Sequence, residues 1–167
     1  MTDNKNTKLP KQQCCVVVEL DAPVAQCFAL ATTEAGMMQW VPSPKSIVYD
    51  HSKASEPYGA GAQRLVTFKF GKSLVEQIVV SDKPIFVAYR IAKFGFPADL
   101  LLTNHRAHMT FEAIDQNRTR LTWLGHFDCP GLRSITEPLM SAAIRIITSA
   151  MANNMKRYCT LINLNNK

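Results

Sequence analysis

The stretch whose pattern decides the fold is residues 103–128, TNHRAHMTFEAIDQNRTRLTWLGHFD. Two strand patterns flank Asp115-Gln116-Asn117-Arg118, residue types whose short polar side chains bond their own backbone and close tight turns. Side chains alternate along a strand, and residues opposite each other in an antiparallel pair share a face, so register can be tested against chemistry. Setting Phe111 opposite Leu121, Met109 opposite Trp123, Ala107 opposite Gly125 and His105 opposite Phe127 collects the apolar residues on one face. The other face then pairs Glu112 with Arg120, Thr110 with Thr122, Arg106 with His126 and Asn104 with Asp128, a solvated set with one complementary ion pair. A slip of one residue mixes the two sets. The segment therefore reads as an antiparallel hairpin with one inward face.

Downstream of Pro130-Gly131, Met140, Ile144, Ile147, Met151, Met155, Tyr158 and Ile162 recur at steps of three and four, the period of one long amphipathic helix. Pro138 near its start predicts either a late beginning or an early kink. The stripe Met140, Ile144, Ile147 and Met151 is expected to cover the sheet, as core and as one wall of any cavity.

Upstream, a β-branched strand over Cys14–Leu20 runs into Asp21-Ala22-Pro23, a helix start that tolerates proline in its first turn. Two short helices follow, about Pro23–Ala31 and Thr33–Gln39, the second capped by Thr33, weakened by Gly36 and stopped at Trp40-Val41-Pro42. Strands are expected over Lys45–His51, Ala62–Phe70, Leu74–Ser81 and Ile85–Ala92. A mobile loop over Ser52–Gly61 and an apolar-tipped loop over Lys93–Leu102 complete the order.

The hairpin of the third and fourth strands suits a three-residue loop Gly71-Lys72-Ser73, with Phe70 opposite Leu74, Phe68 opposite Glu76, Val66 opposite Ile78 and Arg64 opposite Val80. Arg64 and Glu76 then share the apolar face. A plain core has no use for charges, because an unpaired one is costly and a paired one is often neutral for stability. Either the two sit near strand ends and reach solvent, or the sheet lines a pocket.

At 167 residues, 47% of them apolar and 19% charged, the chain is long enough for one ordinary core. We expect a flexible tail over residues 1–12 and one domain over 13–167. The start, with Lys5, Lys8 and Lys11, has no apolar signal core and no stretch suits a bilayer, so the expected setting is cytoplasmic, with no membrane insertion. The five cysteines, Cys14, Cys15, Cys27, Cys129 and Cys159, show no CxxC spacing, which points to reduced, mostly buried thiols rather than a disulfide or zinc framework. The net charge of +6 is scattered along the chain, so nucleic acid is not an expected partner.

Several local sequences then align with a known architecture: Trp40-Val41-Pro42, Gly59-Ala60-Gly61 with Arg64 beyond it, Glu76 with Asp82-Lys83-Pro84, Tyr89, and Thr119-Arg120-Leu121-Thr122-Trp123 leading to Phe127. In that order, over about Cys14–Ile162, the chain resembles the START-like (SRPBCC) superfamily, in its polyketide cyclase/dehydrase-like branch. The resemblance implies an α+β helix-grip fold, a curved antiparallel sheet of about six to seven strands around one long C-terminal helix, with a pocket between them. In hormone-receptor relatives the positions of Arg64, Glu76 and His105 line that pocket, which agrees with the faces assigned from register.

On this basis the expected ligand-lining set is Arg64, Val66, Phe68, Glu76, Ile78, Tyr89, His105, Met109, Trp123, Phe127, Met140, Ile144, Ile147 and Met151. Trp40, Tyr89 and Phe96 are candidate gates at the entrance. His105 and His108 fall on opposite faces of one strand and cannot share a metal. His126 and Asp128 share the outward face. Three functions stay open: a carrier or sensor of a lipid, isoprenoid or aromatic polyketide-like compound; a cyclase or dehydratase using Glu76, His105 and Arg64 as acid/base and enolate-stabilising groups; and a protein-partner module. Neither a cofactor nor a metal is expected, and the sequence does not determine the oligomeric state.

Overall fold

The computed structural model describes residues 9–94 and 98–165. The chain order is β1 (Gln12–Leu20), α1 (Val24–Thr32), α2 (Glu34–Trp40), β2 (Pro44–Asp50), β3 (Gln63–Phe68), β4 (Ser73–Asp82), β5 (Phe86–Lys93), a single turn α3 (Ala98–Leu101), β6 (Thr103–Asp115), β7 (Arg118–Asp128) and α4 (Arg133–Asn165). The strands form one antiparallel sheet in the order β1-β7-β6-β5-β4-β3-β2. β1 and β2 therefore occupy opposite edges, and α1 and α2 carry the chain between them. Register shifts in four of the strand pairs bend the strands and increase the twist. The result is the expected helix-grip architecture.

Thr33 caps α2 through its Oγ1, which accepts from the Gly36 amide at 3.1 Å. Gly36 costs the helix little, since a Cβ there would stand 2.6 Å from Ala29 O and Leu30 Cα; only glycine lets α2 pass α1 so closely. The segment read as a mobile loop is anchored at its end, where Gly61 N donates to Ile78 O and Ile78 N to Ala62 O, both at 2.9 Å.

α4 packs on β1, β7 and α2. It is helical from Arg133, five residues before Pro138, and runs on through the proline, so the helix does not start late. Its buried face is carried by Ala152, Met155 and Cys159, all fully enclosed, while Met140, Ile144 and Met151 are half-buried. Ile147, placed by periodicity in the covering stripe, is instead 55% exposed.

The β6–β7 register matches expectation from Arg106 opposite His126 to Glu112 opposite Arg120. Below it a bulge moves Asp128 opposite Thr103, with Asn104 at φ 52°. His105 and Phe127 are thus not a ladder pair, yet both stay inside with rings 5.9 Å apart.

The β3–β4 register differs by four residues in the sum of partners: Arg64 stands opposite Glu76 and Val66 opposite Leu74. The loop is Lys69-Phe70-Gly71, with Gly71 N donating to Phe68 O at 3.0 Å and Gly71 at φ 82°. A three-residue loop wants its glycine third, in the left-handed region, whereas the loop Gly71-Lys72-Ser73 would place it first. The shift is even, so every residue keeps its assigned face.

Candidate functional site

Between the concave face of the sheet and α4 lies a cavity of about 320 Å³. Phe68, Leu74 and Glu76 form one wall, Tyr89, Ile91 and Phe94 another, and Ile144, Ile147 and Met151 of α4 the roof. The floor is shallow because Ala107 and Gly125 stand opposite each other on β6 and β7 with almost no side chain. A void of about 30 Å³ continues inward past Phe68, Leu74 and Trp123 to Arg64, Val66 and Met109, room for about one water.

Arg64 and Glu76 are 4% and 5% exposed. Directly opposite each other on β3 and β4, they pair through Arg64 Nε and Glu76 Oε2. The Nη1 donor of Arg64 is used as well. Its Nη1 lies 3.1 Å from Tyr49 Oη and 3.3 Å from Ala31 O, and its Cζ sits 4.8 Å above the Tyr89 ring, a cation–π contact. The Tyr49 hydroxyl passes the chain on to Thr32 O. Burial opposes the Arg64 charge, but Glu76 and the two phenols outweigh it and raise the pKa, so the guanidinium stays protonated. Burial also raises both phenols, most of all Tyr89. This is a self-neutralised ion pair at the inner end of the cavity, with the carboxylate on the cavity wall.

His105 is the opposite case. It is 7% exposed, packed between Phe94 and Phe127 with ring centroids at 5.2 and 5.9 Å, and it lines the cavity. Among the described residues neither ring nitrogen has a hydrogen-bond partner. Burial, with a smaller push from His126, lowers its pKa to about 4, so the ring is neutral at physiological pH with one donor and one acceptor to offer. A buried group in this condition costs stability, and its persistence marks a place where a ligand group or water belongs.

Of the residues expected to line the site, Phe68, Glu76, Tyr89, His105, Trp123, Ile144, Ile147 and Met151 border the main cavity, and Arg64, Val66 and Met109 the inner void. Ile78, Phe127 and Met140 border neither. Ile78 and Phe127 are fully buried core, and Met140 packs on the cluster of Leu102, Phe127 and Cys129. Trp40 is no gate: it is buried and its Nε1 donates to Leu30 O at 2.8 Å. Tyr89 is buried too, and Phe96 lies outside the described residues. The opening is edged instead by Phe70, 65% exposed and stacked on Phe68 at 5.3 Å, with Lys72 and Ile147. Sequence reasoning missed Leu74 and Ile91, which alternation from Glu76 and Tyr89 places on the same face, and Phe94, which follows a strand end and carries no pattern.

On the convex face His108 and His126 stand with rings 5.0 Å apart, and His126 Nδ1 bonds Pro10 O at 3.0 Å. Asp128 accepts from Asn104 rather than from His126, so no oriented pair exists there. Among the described residues no group of three or more potential ligands could hold a metal ion, and no helix is long and apolar enough to cross a membrane. All five cysteines are free, and only Cys15 is exposed.

Comparison with known proteins agrees with this fold. No curated protein matches the chain. Among solved structures, a protein from Thermobifida fusca is 25% identical with TM-score 0.66, covering 89% of this chain and 93% of its own. A protein from Bacillus thuringiensis is 19% identical with TM-score 0.67, covering 87% and 97%. Norcoclaurine synthase from Thalictrum flavum, solved with dopamine and hydroxybenzaldehyde, is 15% identical with TM-score 0.65, covering 100% and 96%. The likeness to norcoclaurine synthase speaks for the fold alone. The sequence pattern of the family described as polyketide cyclase / dehydrase and lipid transport matches residues 12–160, and the chain belongs to that family.

Proposed function

We propose that the protein is a carrier or sensor that holds a small, largely apolar ligand bearing one neutral hydrogen-bonding group, with that group at His105. The observation that carries this reading is the imidazole, unpartnered among the described residues, inside a largely apolar cavity whose one carboxylate, Glu76, is tied to Arg64. Glu76 argues against acid–base catalysis at the inner end, since its carboxylate is tied to Arg64 and a general base must be free to take a proton. A cyclase or dehydratase reading rests on His105 alone, and an imidazole pushed down to about 4 is a weak base at neutral pH.

The test begins with native mass spectrometry of freshly purified protein and extraction of whatever co-purifies. Calorimetry with 2-naphthol and naphthalene follows, a pair differing by one hydroxyl. One net hydrogen bond is worth about 1 kcal/mol, so 2-naphthol should bind roughly five-fold tighter, and His105→Phe should erase the difference. Equal affinity of the two compounds for the parent protein sinks the role of His105. Binding of neither, with nothing co-purifying, sinks the carrier reading itself.

A further inference from the structure

We propose that the rim of the cavity docks on an anionic lipid bilayer, so that the mouth opens onto the membrane surface. Docking stands on its own observations; only the passage of a ligand from bilayer to cavity rests on the carrier reading. The loop between β3 and β4 reads Lys69-Phe70-Gly71-Lys72, and it projects an aromatic side chain that is 65% exposed between two lysines. Phe70 and Lys72 also border the cavity mouth. Across the mouth, α4 exposes Ile147 at 55% and, beside it, Ile146 at 70%. From there Leu139 and Ile135, 66% and 64% exposed, continue a stripe at helical spacing toward the start of α4.

Single exposed apolar residues need no explanation, but a run of them along one helix that also sends Ile147 to a cavity mouth edged by Phe70 does. The outward stripe on α4 is distinct from the inward one of Ala152, Met155 and Cys159, so the helix is apolar on two faces and only one is covered. Charge selects what covers the other. Lys69, Lys72 and Arg133 have no ion-pair partner among the described residues, and the chain carries +6 overall. A second copy would bring like charge to like charge, whereas anionic headgroups complement it and the interface accepts the aromatic and aliphatic tips.

The experiment is co-sedimentation of the full chain with vesicles of phosphatidylcholine alone, and of phosphatidylcholine with one part in three phosphatidylglycerol. The parent should prefer the anionic vesicles by at least ten-fold at low salt and lose that preference as salt screens it. Replacing Lys69 and Lys72 together by Gln should weaken anionic partition roughly thirty-fold, two cations at about 1 kcal/mol each. Phe70→Trp should shift its emission to the blue on anionic vesicles. Leu139→Ser with Ile146→Ser, both outside the cavity, should weaken partition several-fold and leave naphthol binding intact. Equal partition to both vesicle types, or none to either, overturns the proposal. So does a parent that is dimeric by light scattering and made monomeric by Leu139→Ser with Ile146→Ser, since the stripe then covers a second copy. Vesicle binding with no small-molecule binding would leave docking standing and remove the carrier reading; the reverse pattern would do the opposite.

Discussion

Glu76→Gln tests the buried ion pair most directly, because it keeps the volume and removes only the charge. In the parent the Arg64 guanidinium is 4% exposed and has a carboxylate, a phenol oxygen, a backbone carbonyl and an aromatic face around it. Glutamine leaves the neutral partners and strips the one group that balances the charge. Removing one member of a buried pair costs about 3–5 kcal/mol. For a chain of 167 residues, each kcal/mol is worth roughly 2–4 °C in Tm, so the expected fall is roughly 6–20 °C. Replacing both members, Arg64→Met with Glu76→Leu, removes the stranded charge and should recover most of that loss. Urea titrations of the parent, the single variants Glu76→Gln, Arg64→Met and Glu76→Leu, and the double variant read the coupling directly. A Glu76→Gln protein within 1 kcal/mol of the parent, or single losses that simply add in the double variant, would refute the reading of a self-neutralised pair.

The pH dependence of stability should carry the mark of His105. Its folded pKa of about 4 lies below the ordinary 6.5, so between those values the unfolded chain binds a proton that the folded one does not. Stability is then full above about pH 6.5 and falls by roughly 3 kcal/mol on the way to pH 4; a His105→Gln variant that loses stability as steeply over this window would contradict the assignment. On α4, Met155→Ala should cost about 2–5 kcal/mol, since the side chain is fully enclosed, whereas Ile147→Ser should stay within about 1 kcal/mol and act on ligand binding instead. Equal destabilisation by the two substitutions, measured by thermal denaturation, would mean that the covered face of the helix is misplaced.

Alternation along strands and three-to-four spacing along the helix are local properties, set by where each Cβ points, so they were legible in the chain itself. They sufficed for seven strands, the two short helices, the long helix, and the inward direction of Arg64, Glu76, His105, Met109 and Trp123. They could not set the β3–β4 register, because a slip of an even number of residues leaves every face unchanged. Only the left-handed backbone of Gly71 chose between the registers, and with it the partner of Arg64. Periodicity likewise named the apolar residues of α4 without saying which side the sheet would reach. Ile147 borders the cavity and Met155 stands in the core because only the turns of α4 that meet β1, β7 and α2 are covered, and which turns those are is decided by how the elements pack. The cavity belongs to the same level of organisation. Alternation already set Ala107 opposite Gly125 and put His105 and Phe127 on one face, but it could not bring Phe94 against the other side of the imidazole or show that the helix leaves a space above them. Volume, burial and the lack of a hydrogen-bond partner are properties of what surrounds a side chain, and those surroundings exist only once distant segments have packed.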